Sequence, residues 1–228
     1  MIRTVFLDLD DTLLDFHAAE GIAIRATFDS LGIRYTDELI ARYSEINRAC
    51  WQRLERGELT RGEVLTERFR ILYSELGYTA SPEATQRKYE YLLSLSHPFI
   101  NGAEELLASL SGKYDLYIAS NGLASVQDRR IADSGIGRYF KDIFISERLG
   151  ADKPSPRFFD LAFERIGQKD RTEAIIVGDS LTSDILGGMQ AGIRTCHFNP
   201  KRIKNTTDII PDHEIHELGE LPLLLERI

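Results

Sequence analysis

The stretch Arg3-Thr-Val-Phe-Leu-Asp-Leu-Asp-Asp-Thr12 decides the fold of this chain. Residues 3–9 are mostly β-branched or apolar, and an acidic turn follows them. A short apolar run that ends at a turn signal is typical of a strand buried on both faces, as in parallel sheets covered by helices. The stretch therefore predicts a first buried strand that places Asp8 and Asp10 at its carboxyl end.

Similar runs recur in the second half of the chain, and helical patterns separate them. Further strands are predicted at 114–120, 142–146, 173–178 and 193–198, with a short edge strand at 214–216. Helices are predicted after Asn101, from Ser155-Pro156 to Gly167, and over 221–228, partly because capping residues, proline and glycine mark helix ends. This alternation predicts βαβ units and an α/β fold with a Rossmann-like parallel sheet.

Residues 16–97 interrupt the alternation, because they contain one helical pattern after another and no strand pattern. Thr60-Arg-Gly-Glu63 is a capping box, and Ser81-Pro82 is typical of a helix start. The sequence therefore predicts two domains. An α/β core comprises 1–15 and 98–228, and an all-helical cap domain, 16–97, is inserted after the first strand.

The composition restricts the classes of partner. The 228 residues include 36 acidic and 28 basic side chains, which gives a net charge of −8 at pH 7. A chain this acidic lacks the basic surface of a protein that binds a nucleic-acid polymer, and it is unsuited to an anionic membrane. An anionic substrate would need a site that reverses the charge locally, through a metal ion or a well-placed lysine.

Two features bear on the cellular compartment. Cys50 and Cys196 lie too far apart to indicate a disulfide framework or a zinc motif, and we expect both to be reduced and largely buried. Asp8 comes before any signal-peptide core can form, and no apolar stretch approaches the roughly 20 residues of a membrane span. We therefore expect a cytoplasmic protein that does not enter a membrane.

Polar side chains follow four of the predicted strands, at the edge where open parallel sheets bind ligands. In chain order they are Asp8, Asp10, Ser120, Asn121, Lys153, Asp179 and Asp184. Crowded carboxylates repel one another unless a cation lies among them, and an all-oxygen ligand set suits Mg²⁺. A single aspartate here would equally well cap a turn or a helix. Four such motifs at one edge indicate a site for a hard cation.

These motifs together resemble those of the haloacid dehalogenase-like hydrolase superfamily, and they come in the same order. They are Asp8-x-Asp10-x-Thr12, the apolar run ending in Ser120, Lys153-Pro154, and Gly178-Asp179-Ser180-x-x-x-Asp184. The resemblance covers the whole predicted core, and the stretch 16–97 resembles the family's α-helical cap. Asp11 departs from the pattern, because many members have glycine there.

The resemblance implies a phosphatase that forms a covalent intermediate. Asp8 would attack phosphorus to give an aspartyl-phosphate, and Asp10 would protonate the leaving oxygen and later activate a water molecule. Dehalogenases of the family lack this second aspartate and need no metal. The presence of Asp10, Asp179 and Asp184 therefore favours phosphoryl transfer over carbon–halogen cleavage.

The resemblance also implies a cofactor and its ligands. Mg²⁺, with Mn²⁺ as the alternative, would be held by the Asp8 carboxylate, the main-chain carbonyl of Asp10 and Asp179. Asp184 would lie in this ligand set or directly behind it. The phosphoryl oxygens would be bound by Ser120, Asn121 and Lys153.

The identity of the phosphate ester is less constrained. The residues around the motifs most resemble the branch of 5′-nucleotidases that act on pyrimidine nucleoside monophosphates, and phosphoglycolate or sugar-phosphate phosphatases are the alternatives. A cap favours a small phosphorylated metabolite over a phosphoprotein. Phe16 and His17 follow the first motif and are expected to line the cap entrance. We expect a monomer or a homodimer.

Two further alternatives come from other classes of protein. A phospho-accepting signalling module without turnover also combines a strand-end aspartate, acidic neighbours, Mg²⁺ and a lysine. Such a receiver domain is about half this length, however, and has no helical insertion after its first strand. An inactive family member that serves as a binding subunit is disfavoured by the intact set of Asp8, Asp10, Lys153 and Asp179.

Other conspicuous residues, an arginine pair and the aromatic residues of 16–97, are expected to have structural roles and no part in the site. The pair Arg129-Arg130 is assigned to a solvated helix face. Aromatic residues of 16–97, such as Tyr43, Phe69 and Tyr73, are more typical of a helical core than of a base-stacking surface.

Overall fold

The chain divides into two compact units in the computed structural model, which describes all residues 1–228. The α/β unit comprises Met1–Asp15 and Pro98–Ile228, and the helical unit comprises Phe16–His97. No helix in either unit combines the length and the apolar character that crossing a bilayer requires.

A six-stranded sheet forms the centre of the α/β unit. Its strands are β1 (Thr4–Leu7), β2 (Asp115–Ser120), β3 (Asp142–Ile145), β4 (Ala174–Gly178), β5 (Arg194–Phe198) and β6 (His213–Ile215). Their order across the sheet is β3-β2-β1-β4-β5-β6, and every neighbouring pair is parallel. The predicted parallel α/β sheet is confirmed, and each strand lies within two residues of its predicted ends.

The helical unit contains four helices, and the predicted capping signals operate at their ends. The helices are α1 (Phe16–Leu31), α2 (Asp37–Glu55), α3 (Arg61–Leu76) and α4 (Pro82–Ser94). The Thr60 side chain accepts from the backbone of Glu63, and Glu63 accepts from the backbone of Thr60 in return. Gly77 ends α3 with a φ of 65°, a left-handed conformation that favours glycine.

Aromatic side chains fill the interior of the helical unit. The rings of Tyr43, Phe69 and Tyr89 lie 5.3 to 5.7 Å apart and are fully buried. Tyr73 is also buried. The interpretation of Tyr43, Phe69 and Tyr73 as core residues is therefore confirmed, and none of them offers an open stacking surface.

Helices cover both faces of the sheet in the α/β unit. They are α5 (Ala103–Leu110), α6 (Ala124–Ser134), α7 (Ser146–Leu149), α8 (Pro156–Ile166), α9 (Leu186–Ala191) and α10 (Leu221–Leu225). Val5 and Leu7 of β1 pack on one face with residues of α5 and α10. Phe6 packs on the other face against Phe158 and Phe159 of α8. Because β1 is buried on both faces, the residues that follow it are held on a rigid support.

Candidate active site

The carboxyl ends of three adjacent strands bring the predicted site residues to one edge of the sheet. Asp8 directly follows β1, Ser120 ends β2, and Asp179 directly follows β4. The backbone N–H of Asp8 donates to the Val177 carbonyl at 2.9 Å, so hydrogen bonding between β1 and β4 continues up to the site. The central position of β1 in the sheet explains why motifs so distant in sequence meet here.

Lys153 connects two of the acidic residues. Its ammonium nitrogen lies 2.8 Å from Asp8 Oδ1 and 2.6 Å from Asp184 Oδ1, and it also donates to the Ala119 carbonyl at 2.5 Å. Only 1% of Lys153 is exposed. All three donors of the ammonium group are used, so its charge is fixed in position next to Asp8.

Three carboxylates lie around this single ammonium group. The oxygen atoms of Asp8, Asp179 and Asp184 that face one another all lie within 4.8 Å. Burial raises the pKa of Asp8 to about 8, with Lys153 opposing the shift and repulsion from Asp184 and Asp10 adding to it. Loss of solvation and repulsion from Asp8 and Asp184 raise the pKa of Asp179 well above its ordinary value. With all three carboxylates ionised, the site would therefore hold more negative charge than Lys153 can balance.

The charge of Lys153 persists in this environment. Burial by itself would lower the pKa of Lys153, but attraction by Asp184 and Asp8 outweighs burial and raises it. Lys153 is thus a permanent cation at the predicted phosphate position. It can neutralise the charge of one carboxylate, and the other two carboxylates can bind a second cation.

The donor set fits a hard divalent ion. Asp8, Asp179 and Asp184 offer carboxylate oxygens only, and no histidine or cysteine belongs to the group. Such oxygen ligands suit Mg²⁺, Ca²⁺ or Mn²⁺ and are a poor match for softer metals. A divalent cation among them would also remove the mutual repulsion that raises the pKa values of Asp8 and Asp179.

Gly178 makes room for the Asp184 carboxylate. Asp184 lies in the π-helical turn Leu181–Ile185, and its Oδ2 accepts the backbone N–H of Ser180 at 3.1 Å. A Cβ atom on Gly178 would lie only 2.2 Å from this Oδ2. Glycine at the end of β4 is therefore a steric requirement of the acidic cluster.

The Asn121 side chain holds the loop that carries Lys153. Its Nδ2 donates to the Lys153 carbonyl at 2.8 Å, and its Oδ1 accepts the Lys153 backbone N–H at 2.9 Å. This pair of bonds closes a gap of 32 residues in the chain. The sequence did not indicate this task for Asn121, whose contact with phosphate stays a prediction.

The assignment of Arg129-Arg130 to a solvated helix face is wrong for Arg130. Arg130 is fully buried and forms an ion pair with Asp10. Arg129 is the solvated member, because its side chain is 44% exposed and pairs with Asp133 on the same helix. Burial of Arg130 follows from the helical phase of α6, which directs it and Gln127, three residues earlier, to the same side.

The family follows from these motifs and from a family model that matches most of the chain. The family model described as haloacid dehalogenase-like hydrolase matches residues 2–192. The chain belongs to the haloacid dehalogenase-like hydrolase family.

One relative within this family also has a solved structure. The HAD-hydrolase YfnB of Bacillus subtilis is 44% identical over 219 residues, covering 96% of this chain and 93% of YfnB. A crystal structure of YfnB bound to magnesium matches with a TM-score of 0.94 at 43% identity and covers 98% of each chain. The fold is therefore shared along nearly the whole length.

Two other relatives carry the name pyrimidine 5′-nucleotidase. PynA of Streptococcus pneumoniae is 35% identical, covering 96% of this chain and 93% of PynA. YjjG of Escherichia coli is 30% identical, covering 97% of this chain and 96% of YjjG. With the family and these relatives, the chain is a phosphatase of the haloacid dehalogenase-like hydrolases, an enzyme of the phosphoric monoester hydrolase class.

The backbone explains why many members of the family have glycine where this chain has Asp11. Asp11 has a φ of 60°, within the left-handed region. Glycine adopts this conformation without strain, whereas most other residues pay roughly 1–2 kcal/mol, and aspartate is among those that tolerate it best. The N–H groups of Leu13 and Leu14 both return to the Leu9 carbonyl, at 3.0 and 2.9 Å, so a tight turn forms despite the substitution.

Phe16 and His17 lie in the helical unit, where they begin α1. Phe16 is half-buried and His17 is exposed. The geometry of the acidic cluster is therefore formed without them. Their contact with a substrate stays a prediction.

Proposed function

We propose that this enzyme is a Mg²⁺-dependent 5′-nucleotidase that hydrolyses pyrimidine nucleoside monophosphates through an aspartyl-phosphate on Asp8. The observation that carries the proposal is the position of Lys153, buried between Asp8 and Asp184 beside an excess of carboxylate charge. Such a site combines a nucleophile with fixed positive charge, which phosphoryl transfer requires. The similarity to PynA and YjjG supports the choice of nucleotide.

In the first step, a carboxylate oxygen of Asp8 attacks phosphorus. The bond between phosphorus and the ester oxygen breaks, and Asp10 gives its proton to that oxygen, so a nucleoside leaves with a free 5′-hydroxyl. The contacts of Asp8 support this role, because Lys153 fixes Oδ1 and the Thr12 hydroxyl lies 3.3 Å from Oδ2.

In the second step, a water molecule attacks the phosphorus of the aspartyl-phosphate. Asp10, now ionised, accepts a proton from this water, the bond from phosphorus to the Asp8 oxygen breaks, and inorganic phosphate leaves. Asp8 returns as a carboxylate and Asp10 returns protonated. Both residues thus end the cycle as they began it.

Positive charge and hydrogen bonds must stabilise the transferred group. Uncatalysed hydrolysis of phosphate monoesters is so slow that enzymes accelerate it by up to ~10²¹-fold. We assign the phosphoryl oxygens to hydrogen bonds from Ser120 and the main chain at Asn121, and to the positive charge of Lys153, whose three N–H groups are already used by Asp8, Asp184 and the Ala119 carbonyl. Mg²⁺, or Mn²⁺ in its place, held by Asp8, Asp179, Asp184 and the Asp10 carbonyl would supply further positive charge to these oxygens when bound.

The helical unit would act as the cap domain, 16–97, that selects the leaving group. Phe16 and His17, at the start of α1, are the proposed contacts for the nucleoside. Phosphoglycolate and sugar phosphates are the alternative substrates within the same reaction. A cytoplasmic location and a monomeric or homodimeric state complete the proposal.

A panel of phosphate-release assays tests the substrate. With Mg²⁺ present, we expect a higher kcat/KM for UMP, dUMP and dTMP than for AMP, phosphoglycolate or hexose phosphates. If phosphoglycolate exceeds the nucleotides by orders of magnitude, the nucleotidase proposal is wrong and the phosphatase class remains. If no ester releases phosphate, the hydrolytic mechanism itself is wrong.

A further inference from the structure

Two side chains of α6 occupy both carboxylate oxygens of Asp10. Gln127 Nε2 donates to Asp10 Oδ2 at 2.6 Å, and Arg130 Nη1 donates to Asp10 Oδ1. Arg130 is fully buried, whereas the Asp10 side chain keeps 27% of its surface exposed. Helix α6 therefore fixes the position of the Asp10 carboxyl group, and part of this group remains exposed.

The Gln127 amide also connects Asp10 to Ser120. Its Nε2 lies 3.0 Å from Ser120 Oγ, so its two N–H groups are shared between the Asp10 carboxylate and the Ser120 hydroxyl. Its Oε1 accepts from Arg130 Nη1 at 3.0 Å. This bond fixes the amide orientation, because the donor side of the amide must then face Asp10 and Ser120.

Gly122 gives independent evidence that this arrangement is built into the sequence. A Cβ atom on Gly122 would lie 2.1 Å from Gln127 Nε2 and 2.7 Å from its Cδ. Gly122 has no left-handed φ that would otherwise require glycine. The missing side chain at residue 122 is thus the space in which the Gln127 amide lies.

We propose that Gln127 and Arg130 are positioning residues that aim the Asp10 carboxyl group at the leaving oxygen and fix its distance from the phosphate-binding Ser120. The inference rests on the proposed function, because it assigns Asp10 to proton transfer. Arg130 holds the Gln127 amide through its Oε1, and the two N–H groups of this amide hold Asp10 and Ser120 at a fixed distance from helix α6. A small displacement of Asp10 would then reduce proton transfer and leave phosphate binding largely intact.

A comparison of two leaving groups separates this role from a general structural one. The p-nitrophenolate of p-nitrophenyl phosphate leaves without a proton, whereas the 5′-oxygen of UMP must be protonated. The parameter kcat/KM covers the steps up to departure of the leaving group. For Gln127→Leu and Arg130→Lys, we expect kcat/KM for UMP to fall about 10- to 100-fold more than kcat/KM for p-nitrophenyl phosphate. Gly122→Ala should change the ratio in the same direction, because it displaces Gln127.

The ratio of the two kcat/KM values is measured on one preparation, so the fraction of folded protein cancels. Arg129→Met is the matched control on the same helix and should leave the ratio unchanged. Equal losses on both substrates in Gln127→Leu and Arg130→Lys, or no loss, would overturn the positioning role while the proposed function stands. A wild-type enzyme that hydrolyses neither ester refutes the proposed function instead.

Discussion

Lys153 Nζ lies 2.8 Å from Asp8 Oδ1, although 145 residues separate the two in the chain. Asp8 is 7% exposed and Lys153 is 1% exposed, so the pair is shielded from water. A buried ion pair loses the solvation of both charges, and only the attraction between them and their hydrogen bonds compensate for this loss. If one member is removed, the other remains as a buried charge without compensation. The consequences for stability and activity differ between the two residues.

Removal of the lysine charge should be costly for the fold. In Lys153→Met, Asp8 and Asp184 lose their shared cation, and the free energy of unfolding at pH 7 should fall by about 3–5 kcal/mol. Chemical denaturation of the metal-free protein measures this fall. Lys113→Met, at a residue exposed on the turn after α5, is the control and should change stability little. A Lys153→Met protein as stable as the wild type would contradict the buried ion-pair arrangement.

Stability without metal should depend on pH in a defined direction. The pKa of Asp8 is about 8 in the folded chain, and its ordinary value, near 3.8, applies in the unfolded chain, so between these values the folded state holds a proton that the unfolded state has lost. Stability should therefore fall as pH rises from about 4 to about 8, by up to ~1.4 kcal/mol per pH unit for one group. Urea denaturation at a series of pH values measures this slope.

Asp8→Asn should abolish activity without lowering stability. The neutral amide removes the buried charge, so the metal-free variant should be at least as stable as the wild type and its stability should fall less steeply with pH. Turnover of p-nitrophenyl phosphate should be lost, because an amide is not a nucleophile. Thermal unfolding and phosphate release measure both effects. Near-normal turnover in a folded Asp8→Asn protein would refute the assigned nucleophile.

A single methyl group at Gly178 should disrupt the acidic cluster. The new Cβ atom in Gly178→Ala would overlap the Asp184 carboxylate, so we expect weaker Mg²⁺ binding in calorimetry and at least about a tenfold loss of kcat/KM. Gly62→Ala is the matched control, because its Cβ atom meets nothing within 4 Å and glycine is unfavourable inside helix α3. Unchanged Mg²⁺ affinity in Gly178→Ala would show that the Asp184 position is not needed for metal binding.

The sequence predicted the sheet and the acidic edge well, because both depend on local patterns. β1 and β4 are continuous apolar runs, and the polar residues directly after them must meet once the strands pair in parallel. Arg130 was missed because an arginine beside another arginine on a helix is usually solvated. Its burial depends on the ion pair with Asp10, 120 residues away, which no local pattern encodes.

Two glycines next to the candidate site have a steric role that the sequence alone does not predict. Gly122 and Gly178 follow or end strands, where a turn is the simplest interpretation, yet neither has a positive φ. Each instead leaves space for one side chain of the candidate site, Gln127 at Gly122 and Asp184 at Gly178. Such steric requirements become visible only when the distant side chain has been placed.

Trapping the covalent intermediate tests the central claim most directly. In Asp10→Ala, p-nitrophenyl phosphate should still phosphorylate the enzyme, because its leaving group needs no proton, while hydrolysis of the aspartyl-phosphate is slowed. With substrate labelled in the phosphoryl group and an acid quench, we predict label approaching one phosphate per chain, on the peptide that contains Asp8, and none in the Asp8→Asn, Asp10→Ala double variant. Label on another residue, or no bound label in Asp10→Ala while the wild type turns over, would contradict Asp8 as the nucleophile.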